Sequence, residues 1–309
     1  ASLAVSFPPV GRPYRAICVD RHRMGVGAAP PRVEHTSRDA MELMAVGSAI
    51  PYCEVSLVDD ADQAVAPGHV GHILIRGENV TRGYFEDPET NQATITADGW
   101  VRTGDLGLFD DGDLYITGRA KEIIFVNGQN YYPHDLESIA LRAPGLELGK
   151  VVAAGVRPRG AQADQLVVFI LHRSDMADFL PTAIEVARLI NEHTGLEVAE
   201  VVPVKRIPKT TSGKIQRHLL EESYVEGEFA AELAELARLR SEKRTPAAAS
   251  GSEIEARIRM ICDTELGRPI GLNDNLFEIG ASSLKLIAIH EAIDREYPGM
   301  IDLTELFDY

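Results

Sequence analysis

No stretch of this chain approaches the roughly 18 unbroken apolar residues that a membrane-spanning helix needs. The longest comparable run, LVVFIL from Leu166 to Leu171, has the length of a strand, so no membrane span is expected. Cysteine is scarce. Cys18, Cys53 and Cys262 lie far apart without CxxC spacing, which indicates neither a zinc site nor a disulfide framework and suits a reducing cytoplasm. No metal site is expected from the residues present. Basic residues are outnumbered, 31 Lys and Arg against 47 Asp and Glu, for a net charge of −16. A surface of that sign repels acidic polymers and argues against nucleic acid as a partner. There is no internal repeat, no opening Met and no basic-then-apolar leader. Both ends are expected to lie inside a longer protein.

What is present suffices for several cores: 309 residues, 45% hydrophobic and 25% charged, allow two or three soluble domains. Up to about residue 45 Pro and Gly are frequent and only Ala16–Val19 reads as a strand. Short strands are then expected at 54–58, 72–76 and 114–117, separated by turn clusters such as Pro67-Gly68 and Asp110-Asp111-Gly112. They predict a small sheet or barrel. Further on, HDLESIALRA reads as a helix stopped by Pro144-Gly145, followed by strands at 151–156 and 165–171. Ile184, Ala187 and Ile190 mark a helix closed by Gly195, and a last strand is expected at 199–204. A solvated helix is expected from Val225 to Arg244, and TPAAASG reads as a linker. Ser252-x-x-Glu255 is a capping box ahead of Ile254, Ile258 and Ile261, so a new helical domain is expected there. That domain carries twelve Asp and Glu against five Lys and Arg.

The fold class expected is multidomain: a small β-rich subdomain, an α+β lid domain, then an all-α carrier helical bundle. The expected boundaries are 1–118 for the β-rich part, 119–225 for the lid, 226–251 for a helical, Ala-rich linker and 252–309 for the carrier.

The segment that organises these parts is GRAKEIIFVNGQNYYPHDLE, Gly118 to Glu137. Asn127-Gly128 is a strong turn signal because both residues tolerate positive φ. Arg119 and Lys121 at the strand mouth, and Tyr131 and Tyr132 just after the turn, read as a hinge and substrate channel rather than as core.

Four islands can carry chemistry. In WVRTGDLG, Asp105 on a Gly turn can accept two hydrogen bonds from a vicinal diol such as ribose; alone, it reads as a turn aspartate bonding its own backbone. Arg119 can fork onto a ribose hydroxyl or phosphate, with Lys121 at a pivot; alone, they read as solvated charges. In PKTTSGKIQR, Lys214 on a flexible arm can bring a cation to a carboxylate and an α-phosphate together. This is not a Walker loop, since no glycine stands five residues before Gly213 and Ile215 follows the lysine; alone, it reads as an exposed basic loop. In DNLFEIGASSLKL, Phe277 and Ile279 anchor a loop and Ser283 starts a helix, where a phosphodiester would meet the positive end; alone, Ser282 or Ser283 reads as an N-cap.

Taken in order, the four islands resemble the adenylate-forming superfamily: acyl-CoA synthetases, fatty acyl-adenylate ligases and nonribosomal peptide synthetase adenylation domains, followed by a carrier domain. The resemblance covers about residues 46 to 309. It implies that Asp105 and Arg119 hold the ribose, that Lys121 is the hinge and that Lys214 supports adenylate formation. It implies that Gly128 lines the pantetheine channel and that Ser283 receives 4′-phosphopantetheine. ATP/AMP, Mg²⁺ and 4′-phosphopantetheine are the implied cofactors. A carboxylic acid, a phosphopantetheinyl transferase and downstream synthase domains are the implied partners. FVNGQNYYPHDLE, with SLAVSF and CVDR near the start, is closest to the fatty acyl-adenylate ligase type.

The implied function is part of a polyketide or nonribosomal peptide loading module. It activates a fatty acid as acyl-AMP with ATP and transfers it to the carrier thiol, with the lid swinging about Lys121 between the two half-reactions. An amino-acid or aryl-acid module, and a non-catalytic docking remnant, remain open alternatives. The superfamily's Ser/Thr/Gly-rich phosphate loop and aromatic-Gly-x-x-Glu motif are missing and are expected upstream of Ala1, with the Mg²⁺ ligands. The carrier is expected to break off at its third helix, ELFDY. Such a chain is not expected to make acyl-adenylate alone.

Overall fold

The computed structural model describes residues 4–126, 128–158, 164–243, 253–271, 274, 276, 281, 283–299 and 301. The chain divides into two compact units, Ala1–Asp135 and Leu136–Tyr309. The architecture is the expected multidomain one, β-rich first, then α+β, then a helical carrier region.

In chain order the first unit contains β1 (Ser6–Phe7), β2 (Ala16–Asp20), β3 (Ala40–Met44), β4 (Ser48–Ala49), β5 (Cys53–Val58), β6 (Gly71–Gly77), α1 (Pro88–Thr94), β7 (Val101–Asp110), β8 (Asp113–Arg119), β9 (Ile124–Val126) and β10 (Gln129–Tyr131). Strands β5 to β8 form an antiparallel meander in sequence order. Alternate side chains of a strand face opposite sides, and here both sides are covered. Leu106, Leu108 and Tyr115 pack with Val19, Met41, Leu43 and Tyr132. Val101 and Leu114 pack with Leu57, Ile73 and Ile75. Helix α1, which the apolar pattern does not signal, starts on polar cues alone. Pro88 is its first residue, and Asp87 Oδ1 accepts the Thr90 amide at 3.0 Å.

Helix α2 (Pro133–Ala140) spans the division between the units. The second unit continues with β11 (Val151–Val156), β12 (Gln165–Leu171), α3 (Met176–Thr194), β13 (Val198–Val204), α4 (Arg217–Glu226), α5 (Ala230–Lys243), α6 (Glu253–Leu266) and α7 (Ser283–Glu296). Strand β12 pairs antiparallel with β11 and parallel with β13. Its apolar run is buried on both sides, as a central strand requires. Val152, Val167, Phe169 and Val202 pack with Leu220 and, beyond it, Tyr224, Phe229 and Leu233. Helix α3 buries Phe179, Ala183, Val186 and Ile190 and ends at Gly195, whose φ of +68° is the left-handed cap expected.

The solvated helix expected at 225–244 is α5, which starts later, at Ala230, and a helix that the pattern does not signal, α4, precedes it. Gly227, at φ +83°, closes α4 by accepting the left-handed conformation, and α5 starts afresh at Ala230. Helix α5 is only half solvated, for Leu236 is buried. In the carrier, Ile261, Cys262 and Leu266 of α6 pack with Leu286, Ile289 and Ile293 of α7. Arg257 and Glu296 join the two helices by a two-pronged ion pair at 2.6 Å. Ser252, Phe277, Ile279, Ser282 and ELFDY lie outside the described residues. The compact units part later than the expected lid start at 119, so the β9–β10 hairpin packs with the first unit.

Candidate functional site

Asp105 and Arg119 are brought together. The Thr-Gly-Asp triplet is not a loop turn but an irregularity within β7, where the pairing with β6 shifts between His72 and Leu74. Each of its residues has a local role. Thr103 Oγ1 donates to the Ile73 carbonyl at 2.9 Å and accepts the Asp105 amide at 3.0 Å, so a hydroxyl replaces the interrupted ladder. Gly104 takes φ +80°, which a side chain would resist. Asp105 then re-enters the strand directly opposite Arg119 of β8.

Across that register Arg119 Nε donates to Asp105 Oδ1 at 2.9 Å, with both side chains partly exposed. The Asp105 bond, aided by charge, raises the Arg119 guanidinium above its ordinary pKa. Among the described residues the second carboxylate oxygen and the Nη donors have no partner. The pair therefore presents one acceptor edge and one donor edge side by side, the complement of a vicinal diol or of a hydroxyl beside a phosphate.

Lys121 sits on a short 3₁₀ turn, Ala120–Glu122, exposed and without a partner among the described residues. Gly128 is the described half of a two-residue hairpin turn, since Val126 pairs with Gln129. Its φ is +80° with open space beyond, so backbone conformation alone calls for glycine there. Asn127 lies outside the described residues.

Tyr131 and Tyr132 do not line a channel: both are buried, Tyr132 to 2% exposure. The Tyr132 hydroxyl donates to the Met24 carbonyl at 3.0 Å, and burial pushes its pKa up to about 12. Its ring lies so close to Gly118 (φ +148°) that a β-carbon there would stand 2.7 Å from Tyr132 Cδ1. The chain at Gly118 is thus threaded over an aromatic anchor of the first unit. Sequence reasoning took two tyrosines beside a turn for surface residues because their partners lie about a hundred positions away. Arg21 is likewise buried, donating to Asp135 and to the Ala40 carbonyl. No local pattern signals that contact.

Lys214 belongs to the second unit. Its loop is not a flexible arm: Lys209 pairs with Ile215, Thr210 N donates to the Lys214 carbonyl at 2.8 Å, and Lys214 N donates to Thr210 Oγ1 at 3.1 Å. Thr210 Oγ1 also meets Ser212 Oγ at 3.0 Å, and Gly213 takes φ +84°. Thr-Thr-Ser-Gly therefore builds a small hydrogen-bonded hairpin that holds the lysine backbone. The Lys214 side chain is exposed, with no partner among the described residues. Arg217, nearby in sequence, is committed elsewhere. Its Nη2 donates at 2.7 Å to Glu137 Oε1, which also accepts the Ala153 amide at 3.0 Å.

Ser283 is the first residue of α7. Leu286 and Ile289 are buried, as the pattern requires, whereas Leu284 and Ile287 are exposed. Of the acidic residues of α7, Asp294 accepts the Gly299 amide and Glu296 is held by Arg257. Among the described residues no group of three or more His, Cys, Asp or Glu is placed to hold a metal ion.

Comparison with known proteins matches this order of parts. The AMP-binding enzyme family model matches residues 25–85, and the phosphopantetheine attachment site model matches residues 256–309. The nonribosomal peptide synthetase atqA of Aspergillus terreus is 33% identical over 285 residues, which is 87% of this chain and 29% of that protein. A solved structure of McyG A-PCP complexed with phenylalanyl-adenylate aligns with a TM-score of 0.72 and 28% identity, over 85% of this chain and 42% of that one. A structure of fatty acyl-adenylate ligases from E. coli and L. pneumophila aligns with a TM-score of 0.64 and 31% identity, over 74% of this chain and 40% of that one. The chain spans less than half the length of the curated relatives it matches.

Proposed function

We propose that this chain, which carries part of an AMP-binding enzyme domain followed by a phosphopantetheine attachment domain, serves a loading module that activates a fatty acid as acyl-AMP and passes the acyl group to its own carrier. An AMP-binding domain implies ATP or AMP with Mg²⁺, and an attachment domain implies 4′-phosphopantetheine, which supplies a thiol on a long arm.

The observation that carries the reading is the cross-strand pair Asp105–Arg119, 2.9 Å apart, with an acceptor edge and a donor edge left over for a ribose. In this reading Lys214 supplies the cation that stabilises charge as a carboxylate attacks the α-phosphate. Lys121 is the hinge, Gly128 belongs to the pantetheine path, and Ser283 receives the arm from a phosphopantetheinyl transferase. Reuse of one nucleotide pocket for two half-reactions by a rotating lid is the economical way to join them. The likeness to fatty acyl-adenylate ligases supports the choice of acid. No Ser/Thr/Gly-rich phosphate loop stands in these 309 residues, so the chain by itself is proposed not to form acyl-adenylate. In this reading the working protein acts in the cytoplasm and hands its product to downstream synthase domains.

The second reading keeps the chemistry and changes the acid to an amino or aryl acid, favoured by the likeness to a structure holding phenylalanyl-adenylate. Pyrophosphate exchange by the complete parent protein separates the two. Fatty acids should drive exchange above amino and aryl acids; exchange with amino or aryl acids alone selects the second reading. No exchange with any acid, by a folded parent holding an intact phosphate loop, removes the enzymatic role.

A further inference from the structure

The carrier is acidic, with twelve Asp and Glu against five Lys and Arg from Glu253 onward. Contact with the rest of the chain, which carries −9 of the net charge of −16, should therefore be disfavoured unless particular cations are aimed at particular acids. One of the five carrier cations is so aimed. Lys285, in the first turn of α7, places Nζ 3.0 Å from Oε1 of Glu197, and both side chains are about one-third exposed. Glu197 lies between the glycine that closes α3 and the first residue of β13, a short connection fixed at both ends. Arg268, just beyond α6, attracts Glu200 of β13 electrostatically, as does Arg240 of α5. Burial raises the Glu200 pKa, which these two cations oppose.

We propose that Glu197 of the lid and Lys285 of the carrier form an electrostatic latch that parks the start of α7 on the end of the lid sheet. Position 283 lies two residues from Lys285 in the same first turn, so the latch holds the attachment residue near the lid. A half-exposed ion pair is weak and screened by salt. A weak latch suits a carrier that must leave for other partners. The proposal goes beyond the acid-activating reading and holds whatever acid the parent uses.

The test is a distance measurement by energy transfer in the full chain. Labels are incorporated site-specifically at exposed Ile184 of α3 and exposed Met260 of α6. In 50 mM NaCl the wild type should show a dominant single distance, depopulated in 500 mM NaCl. Glu197→Lys alters only the lid and should lower the ratio of docked to undocked molecules by about threefold or more, as expected when a weak attraction becomes a repulsion. Glu197→Gln should lower it less. Adding Lys285→Glu to Glu197→Lys should restore the wild-type distribution. A distribution unchanged by Glu197→Lys, or a double variant no better docked than the single one, overturns the latch.

Discussion

Arg119 and Asp105 face each other across β8 and β7, with Arg119 Nε 2.9 Å from Asp105 Oδ1. Strand register, rather than a loop, fixes that distance, so the two groups are presented as a rigid pair. A rigid pair loses little conformational freedom when it takes a ligand, which is what a nucleotide-orienting contact requires.

Replacement of Asp105 by Asn keeps size and strand geometry but removes the charge that accepts hydrogen bonds. A hydrogen bond to a charged group contributes about 1.5–3 kcal/mol. The KM for ATP in pyrophosphate exchange by the complete parent should rise by roughly 10- to 100-fold. An unchanged KM would place the ribose elsewhere.

Lys214 is exposed on a hairpin that its own side chain does not support. Lys214→Ala should leave the lid folded and lower adenylate formation by about 10²- to 10³-fold, the scale for loss of one preorganised electrostatic group. Thioester formation from a preformed acyl-adenylate should fall far less. Measuring the two half-reactions separately distinguishes this from general damage.

Tyr132 makes the first unit sensitive to alkali. Its phenol has a raised pKa, about 12 when folded, against about 10 in an unfolded chain. Below pH 10 both states hold the proton and the group has no effect on the pH dependence. Between pH 10 and 12 the unfolded state ionises first, so about 2–3 kcal/mol of stability should be lost as pH rises. Tyr132→Phe should flatten that decline in urea titrations while costing about 1–2 kcal/mol at neutral pH through the Met24 carbonyl left without its donor. A decline identical in both proteins would show that Tyr132 does not set it.

Glu137 holds two parts of the second unit at once, the Ala153 amide of β11 and Arg217 of α4. Both carboxylate and guanidinium are largely buried. Glu137→Ala removes the carboxylate that joins β11 to α4, leaves the Ala153 amide without that acceptor and should destabilise the second unit by about 1–3 kcal/mol. Denaturant midpoints of the chain should show the second unit melting earlier and the first unit unchanged.

Ser283 should take up the phosphopantetheine arm when the chain is incubated with CoA and a phosphopantetheinyl transferase, seen as added mass on the intact protein. Ser283→Ala should abolish it. Persistence of the added mass in that variant would move the attachment to another residue.

What the sequence by itself determined was local. Strand and helix periodicity, the left-handed glycines at 128 and 195 and the run of motifs from Thr103 to Lys214 depend on neighbours within a few positions, so they are legible in a string. The start of α5 differs from the expected one, and α4 has no expected counterpart, because one Gly in a helical pattern is tolerated as often as it terminates. Helix α1 was missed because its cues are polar rather than periodic.

Only the tertiary structure decided which side chains meet. Tyr132 is a core anchor because Met24 is there to accept its proton, and Arg119 reaches Asp105 because two strands pair in one register. Arg217 answers to Glu137 rather than to a phosphate, and Lys285 to Glu197. In each case the partner lies 14 to 108 positions away. No local preference encodes such a choice, since it follows from burying apolar faces together and leaving polar groups to find what that packing brings near.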